Sequence, residues 1–146
     1  MAFKQAHHTL ELATPGRGLT LFTAQVEGWL AAERPGDGLL TLFIQHTSAS
    51  LLIQENADPS ARRDLEAWLN RLVPEHDPLY THTSEGPDDM PSHVKAMLTA
   101  TSLAIPILDG GLALGTWQGI YLWEHHRQPG ARHVVVHVAA EAAEKD

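Results

Sequence analysis

Short apolar segments separated by turn residues are the feature that most constrains the fold of this chain of 146 residues. Segments of this length, rich in β-branched and aliphatic side chains, predict strands. They cover residues 9–13, 19–21, 39–46, 48–54, 102–108, 112–124 and 132–140. We expect the segment 48–54 to be the hairpin partner of 39–46, and the Gln-Pro-Gly-Ala sequence at 128–131 to form a tight turn between the last two strands.

Three other segments have the spacing of helices. Residues 23–33 predict a short helix after the second strand. The clearest helix start is Asp58–Pro59, because Asp caps the free N–H groups and Pro fits the first helical position. Its apolar spacing continues to Pro74. A third helix is predicted over about residues 90–99, with Asp88 or Asp89 as its cap.

Strands therefore outnumber helices, and short turns join sequential strands, which is typical of the α+β class. We expect a mainly antiparallel β-sandwich of about seven strands with two or three covering helices. The composition does not shift at any point along the chain, so residues 1–146 are predicted to form a single domain.

The composition excludes several classes of function. There is no cysteine, which removes disulfides, thiolate metal sites and Cys nucleophiles. The net charge is −8 with histidine neutral, which argues against general nucleic-acid binding. The N-terminus has no apolar run typical of a signal peptide, and no stretch is apolar for about 18 residues. The expectation is a soluble cytoplasmic protein with neither nucleic acid nor membrane as a partner.

Ten histidines are the unusual part of the composition. Without cysteine, the imidazole is the strongest metal ligand left to this chain. His46 ends a predicted strand beside Ser48 and Ser50, and His93 lies in the first turn of the third predicted helix. Each of these rings is also compatible with an ordinary hydrogen-bonded histidine, and Ser beside His in sequence is only a weak indication of a nucleophile.

Two alternatives remain open for the adjacent pair His125 and His126. Strand alternation places the two rings on opposite faces. A hairpin at residues 128–131 would set His126 opposite His133, whereas a site built from His125 would use the other face. Close by, the glycines at 115 and 119 indicate a bulge at a subunit contact or the close approach of a ligand or of another backbone segment.

Five motifs together resemble the YjbQ-like family, which is often described as secondary thiamine-phosphate synthase. They are QHTSAS (45–50), QENADP (54–59), DDMPSH (88–93), GTWQGI (115–120) and EH (124–125), within a resemblance that runs from about Leu10 to Glu141. The resemblance implies an α+β sandwich that assembles as a homotrimer. It also implies a site in which His46, His93 and His125 bind a divalent metal, with zinc expected and nickel as an alternative.

The same resemblance implies an enzyme that joins a pyrimidine diphosphate to a thiazole phosphate, so that the partner is a phosphorylated small molecule. Catalytic roles then fall to Glu55, Asp89 and His82, which lies in the long predicted loop 73–90. Substrate binding falls to Lys95, Gln118 and Arg132. For Glu55, Lys95 and Arg132 an ordinary loop or surface role is an equal alternative.

Two further interpretations remain. The trimer is a non-catalytic protein that binds a metal or a phosphorylated metabolite, or the histidines form a metal-free acid–base or phosphate-binding cluster. Three imidazoles favour zinc, whereas the departure of diphosphate usually uses Mg²⁺ with oxygen ligands. Metal-assisted hydrolysis, or another reaction at a phosphate ester, is therefore an alternative for the native reaction.

Overall fold

In the computed structural model, which describes residues 2–143, two antiparallel sheets enclose the main core and three helices accompany them. The strands are β1 (Phe3–Thr14), β2 (Gly18–Leu21), β3 (Pro35–Ile44), β4 (Ala49–Glu55), β5 (Ser102–Leu108), β6 (Gly111–Leu112), β7 (Gln118–Glu124) and β8 (Gly130–Ala142). The helices are α1 (Thr23–Glu33), α2 (Pro59–Leu72) and α3 (Asp89–Leu98). The predicted α+β class is confirmed, with eight strands in place of about seven.

The larger sheet has the strand order β1-β8-β3-β5-β6, and the smaller one has the order β2-β7-β4. Alternate side chains of each sheet point into a shared core, as the period of two in a strand requires. The fully buried residues of this core include Leu40, Leu42, Val136, Leu51, Ile120 and Leu122. A smaller apolar cluster lies where α2 packs on the three-stranded sheet, around Leu69, Tyr121 and Trp123.

Both predicted hairpins are wrong. β4 does not pair with β3: it pairs with β7 in the smaller sheet, while β3 lies between β5 and β8. The turn before β8 likewise carries the chain from one sheet to the other. His133 therefore lies opposite Glu11 and not opposite His126. In each case a short connection crosses between the two layers of the sandwich, and local turn chemistry does not distinguish a crossing from a hairpin.

The predicted long strand 112–124 is also interrupted. Residues 113–117 leave the sheet, and the turn is closed by the N–H of Gln118, which donates to the carbonyl of Gly115 at 3.1 Å. The Gln118 side chain accepts a further bond from the Gly115 N–H at 2.8 Å. The side chain of Gln118 thus takes part in a local turn.

The helix starts differ in how they are capped. Asp58 caps α2 as predicted, since its carboxylate accepts the N–H of Ser60 at 2.9 Å. Asp88 occupies the cap position of α3, yet its side chain makes no capping bond. Among residues 2–143, no helix has the length and apolar character needed to cross a membrane.

Candidate functional site

The carboxylate of Asp89 is the centre of a histidine cluster at the start of α3. It is almost completely buried and contacts three imidazoles. Oδ2 lies 2.8 Å from His82 Nε2 and 3.2 Å from His93 Nε2. Oδ1 lies 3.1 Å from His126 Nε2. Three imidazole rings thus surround one buried carboxylate, and their nitrogen atoms can form hydrogen bonds or bind a metal.

Each ring reaches Asp89 from a different part of the chain. His93 follows Asp89 by four residues on α3, a spacing that places both side chains on one face of a helix. His82 comes from the irregular segment between α2 and α3, and His126 comes from the connection between β7 and β8. The site therefore forms only where a helix, a long loop and the crossing between the two sheets meet.

Asp89 is held in its ionised form by these neighbours. Burial alone would raise the pKa of the carboxyl group. The hydrogen bond from His82 and the charges of His93, His126 and His82 outweigh that effect and leave the pKa below its ordinary value. A carboxylate that stays charged while buried is well suited to hold a cation or an imidazolium.

The hydrogen bonds of His93 define which of its nitrogens is available. Nδ1 lies 3.1 Å from the carbonyl oxygen of Thr47, and because a carbonyl only accepts, Nδ1 carries the hydrogen. In the neutral ring the lone pair is then on Nε2, and Nε2 faces the Asp89 carboxylate. Two electron-rich atoms in contact repel each other unless a proton or a metal ion lies between them.

The donor set fits a divalent metal. The ligand atoms of His82, Asp89 and His93 all lie within 4.8 Å of one another. Adjacent ligands of an ion held at about 2.1 Å are roughly 3.0–3.4 Å apart, close to the contacts of Asp89 with the two rings. Two imidazoles with one carboxylate are typical of catalytic zinc and of non-haem iron(II). The Nδ1–H bond from His93 to a carbonyl is the usual outer support of such a ligand.

A backbone hydrogen bond determines which ring nitrogen of His46 carries the hydrogen. Its Nδ1 accepts the backbone N–H of Ser48 at 2.9 Å, so the neutral ring carries its hydrogen on Nε2. Burial, and next the charge of Arg132, lower the pKa of His46 and favour that neutral form. In this arrangement Nε2 of His46 is a donor and has no lone pair to give to a metal.

The cleft beside His46 and His93 has a volume of about 550 Å³ and a mixed lining. The polar residues of the lining are Gln45, His46, Thr47, His93 and Thr101. The apolar residues are Phe43, Ile44, Ala96 and Met97. His82 lines a second cavity of about 280 Å³. A small ligand with an apolar part and a polar end fits the larger cleft.

His125 lies in the interior. It is 1% exposed, and its Nε2 shares a hydrogen bond of 3.0 Å with the Ser50 hydroxyl. Burial, and next the charge of Lys95, lower the pKa of His125 to about 3, so the ring is neutral. The structure therefore does not gather His46, His93 and His125 into one ligand set. Within residues 2–143, the group of three ligand atoms that do come together belongs to His82, Asp89 and His93.

Two of the predicted substrate-binding cations already have partners inside the protein. Lys95 is 2% exposed and donates to the Asn70 side chain at 2.6 Å. Burial, and next the charge of Arg17, lower the pKa of Lys95 to about 8. Arg132 forms an ion pair of 2.6 Å with Glu124, which is completely buried. Both cations thus support the fold beneath the histidine cluster.

Glu55 and Gln118 lie at the other end of the smaller sheet. They are directly paired in the register of β4 and β7, whereas the end next to the histidine cluster is the pair Ala49 and Glu124. Six residues of strand separate the two pairs, which is roughly 20 Å at about 3.3 Å per residue. The structure does not bring Glu55 or Gln118 to Asp89.

His126 and Asp88 are the site residues that sequence reasoning missed. The predicted hairpin set His126 opposite His133, but its Nδ1 lies 3.3 Å from Asp88 Oδ2 and its Nε2 contacts Asp89. The alternation of strand residues contained a usable signal for His126. Because it places His125 and His126 on opposite faces, burial of the His125 ring implies that the His126 ring points towards the surface.

Comparison with known proteins gives a consistent result. The model of the family "UPF0047 protein YjbQ-like" matches residues 8–141. The UPF0047 protein sll1880 of Synechocystis is 48% identical over 139 residues, covering 95% of both chains. The UPF0047 protein YjbQ of Escherichia coli O157:H7 is 44% identical over 134 residues, covering 91% of this chain and 96% of its own.

Solved structures share the architecture. The conserved hypothetical protein TT1486 of Thermus thermophilus is 38% identical with a TM-score of 0.77, covering 88% of this chain and 97% of its own. A protein of unknown function from Sulfolobus solfataricus has a TM-score of 0.87 at 20% identity, covering 96% of this chain and all of its own, and so shares the fold. The chain belongs to the YjbQ-like family of UPF0047 proteins.

Proposed function

We propose that this protein is a small-molecule enzyme in which His82, Asp89 and His93 hold a divalent metal, with zinc as the expected ion. The observation that carries the proposal is the contact between His93 Nε2 and Asp89 Oδ2 at 3.2 Å. Since the ring hydrogen of His93 is on Nδ1, this contact needs a proton or a metal ion between its two atoms, and the proposal is the metal ion. The nearby His82 nitrogen supplies a further ligand.

The substrate is proposed to be a phosphorylated small molecule that binds in the 550 Å³ cleft. A divalent ion in this position supplies Lewis-acid stabilisation of charge on a phosphate or other oxygen. His46 lines the same cleft and offers a neutral N–H donor for an anionic oxygen. Ala96 and Met97 provide apolar surface against which a ring of the substrate packs.

The specific reaction to assay first is thiamine-phosphate synthesis. In that reaction a pyrimidine methyl diphosphate forms a carbon–nitrogen bond to the nitrogen of a thiazole phosphate, and pyrophosphate leaves with the electron pair of the broken carbon–oxygen bond. A cleft lined by both polar and apolar residues suits such a ring-bearing phosphate ester. Because diphosphate departure normally uses Mg²⁺, the assay is run with zinc, with magnesium and with both.

A homotrimer is the proposed assembly, and the open face of the larger sheet supports it. The inward-facing residues of β3 and β5 are buried, whereas Leu39, Phe43 and Leu108 on the opposite face are 43–57% exposed. No helix covers this face in the described part of the chain. Two further copies of the chain are the proposed occupants, in line with the trimer that the family resemblance implies.

The proposed metal site is tested by metal content. Untagged protein is loaded with zinc, dialysed and analysed by plasma mass spectrometry beside His93→Ala, Asp89→Asn and the exposed control His133→Ala. The expected result is close to one zinc per chain in the wild type and in His133→Ala, with loss in the two site variants. A wild type that retains no zinc or nickel would overturn the proposed metal site. The contact between His93 and Asp89 would then be explained by a proton between them. Retained metal without turnover of any phosphorylated substrate would favour a binding protein.

A further inference from the structure

His126 is bound through both of its ring nitrogens by carboxylates. Nε2 lies 3.1 Å from Asp89 Oδ1, and Nδ1 lies 3.3 Å from Asp88 Oδ2. Because a carboxylate only accepts hydrogen bonds, Nδ1 donates to Asp88. His126 lies outside the group of mutually close ligand atoms formed by His82, Asp89 and His93, and it bridges the two neighbouring carboxylates.

Asp88 is in turn fixed by the backbone. The N–H of Arg127 donates to Asp88 Oδ2 at 3.0 Å, the same oxygen that faces His126. Asp88 occupies the cap position of α3 but makes no capping bond there. A capping bond stabilises a helix, and the Asp88 side chain forgoes it and holds His126 and the connection before β8 instead.

The bridge determines how Asp89 is oriented. One oxygen of its carboxylate, Oδ1, is occupied by His126, and the other, Oδ2, faces His82 and His93. A carboxylate held in this way offers a single oxygen to an ion between the two rings. Fewer protein ligands leave more coordination positions for substrate or water.

We propose that His126, held by Asp88, is a positioning residue that restricts Asp89 to one-oxygen coordination and keeps the metal open to substrate. This inference rests on the metal site proposed above. Outer partners of metal ligands typically change metal affinity or activity by 10–100-fold when they are removed. We expect a change of metal affinity in the same range when His126 is removed, because the Asp89 carboxylate is then free to rotate.

The first test compares zinc affinity by competition with a coloured chelator. His126→Ala and Asp88→Asn are each expected to weaken zinc binding about 10–100-fold. Since the two residues act as one unit, the double variant is expected to be no weaker than the poorer single variant. His126→Arg supplies N–H donors that can reach both carboxylates and is expected to restore most of the affinity, while His133→Ala stays at the wild-type value. Unchanged affinity in His126→Ala would overturn the proposal.

The second test reads the coordination directly. In cobalt-substituted protein, four-coordinate cobalt gives intense visible bands and six-coordinate cobalt gives weak ones. Two-oxygen binding by Asp89 in His126→Ala is expected to weaken the bands, an effect that a purely structural loss of stability would not produce. An unchanged spectrum contradicts the inference.

Failure of the metal site itself is recognised separately, because the wild type then binds neither zinc nor cobalt. In that case the metal-free crystal structure of His126→Ala decides the role of the bridge. A rotated Asp89 carboxylate supports positioning by His126, and an unrotated one overturns it.

Discussion

Nη2 of Arg132 lies 2.6 Å from Oε1 of Glu124 and links the two sheets through a buried ion pair. Glu124 belongs to β7 in the smaller sheet, and Arg132 belongs to β8 in the larger one. The second oxygen of Glu124 accepts the N–H of His125 at 3.2 Å, and Thr14 donates to the first at 3.3 Å. The pair is thus part of a polar network inside the sandwich.

Removing Arg132 is expected to destabilise the fold strongly. Arg132→Met leaves the Glu124 charge buried without its partner, which typically costs about 3–5 kcal/mol of unfolding free energy. Urea unfolding at pH 7.5 measures the loss. The double variant Arg132→Met/Glu124→Gln removes the buried charge as well and is expected to recover part of the stability. A change below about 1 kcal/mol in Arg132→Met would leave Arg132 free for the substrate role predicted from the sequence.

His125 is expected to make the protein less stable in acid. Its pKa is about 3 in the folded protein, against 6.5 for an ordinary histidine. Between these two values the unfolded ring takes up a proton that the folded ring does not, so stability present above pH 6.5 is lost as the pH falls. The slope for one such group approaches about 1.4 kcal/mol per pH unit.

The measurement for His125 compares unfolding free energies at pH 7.5 and pH 5.0. His125→Asn is expected to reduce the difference between the two pH values by roughly 2 kcal/mol, whatever its own stability at pH 7.5. The exposed His133→Asn serves as the matched control and should retain the wild-type difference. Equal pH dependence in wild type and His125→Asn would mean that the buried ring is already protonated at pH 5.0.

Phe43 is expected to control the assembly. Phe43→Arg places a charge on the apolar face of the larger sheet, where burial against another subunit would be costly. Sedimentation velocity is expected to show a trimer for the wild type and a monomer for Phe43→Arg. Leu79→Arg alters an exposed leucine outside this face and is the control. A wild-type monomer at micromolar concentration would exclude the proposed trimer.

The helices could be predicted from the sequence because their signals are local. Asp58 and Pro59 mark the start of α2 by chemistry that needs no distant partner, and residues 23–33 form α1 with the predicted bounds. Strand pairing depends instead on which sheet each strand joins. The connections before β4 and before β8 resemble hairpin turns, but each crosses the sandwich.

The candidate site shows the same difference between features set by local sequence and features set by distant contacts. Asp89 and His93 were predictable as neighbours because they lie four residues apart on a helix. His82 could be placed only in a long loop, and His126 was paired with His133 by a hairpin that does not form. The sequence alone does not reveal that Asn70 of α2 binds Lys95, so the pattern there indicates a surface cation.

The crossing between β7 and β8 has a consequence for how binding is transmitted. His126 and Arg127 lie on this short segment, and the two strands that flank it belong to different sheets. We therefore expect a ligand that tightens Asp89 to tighten the contact between the two layers as well. In hydrogen exchange, ligand binding should therefore slow the exchange of backbone amides in both sheets together. The protection would extend over the whole sandwich and would not be confined to the site.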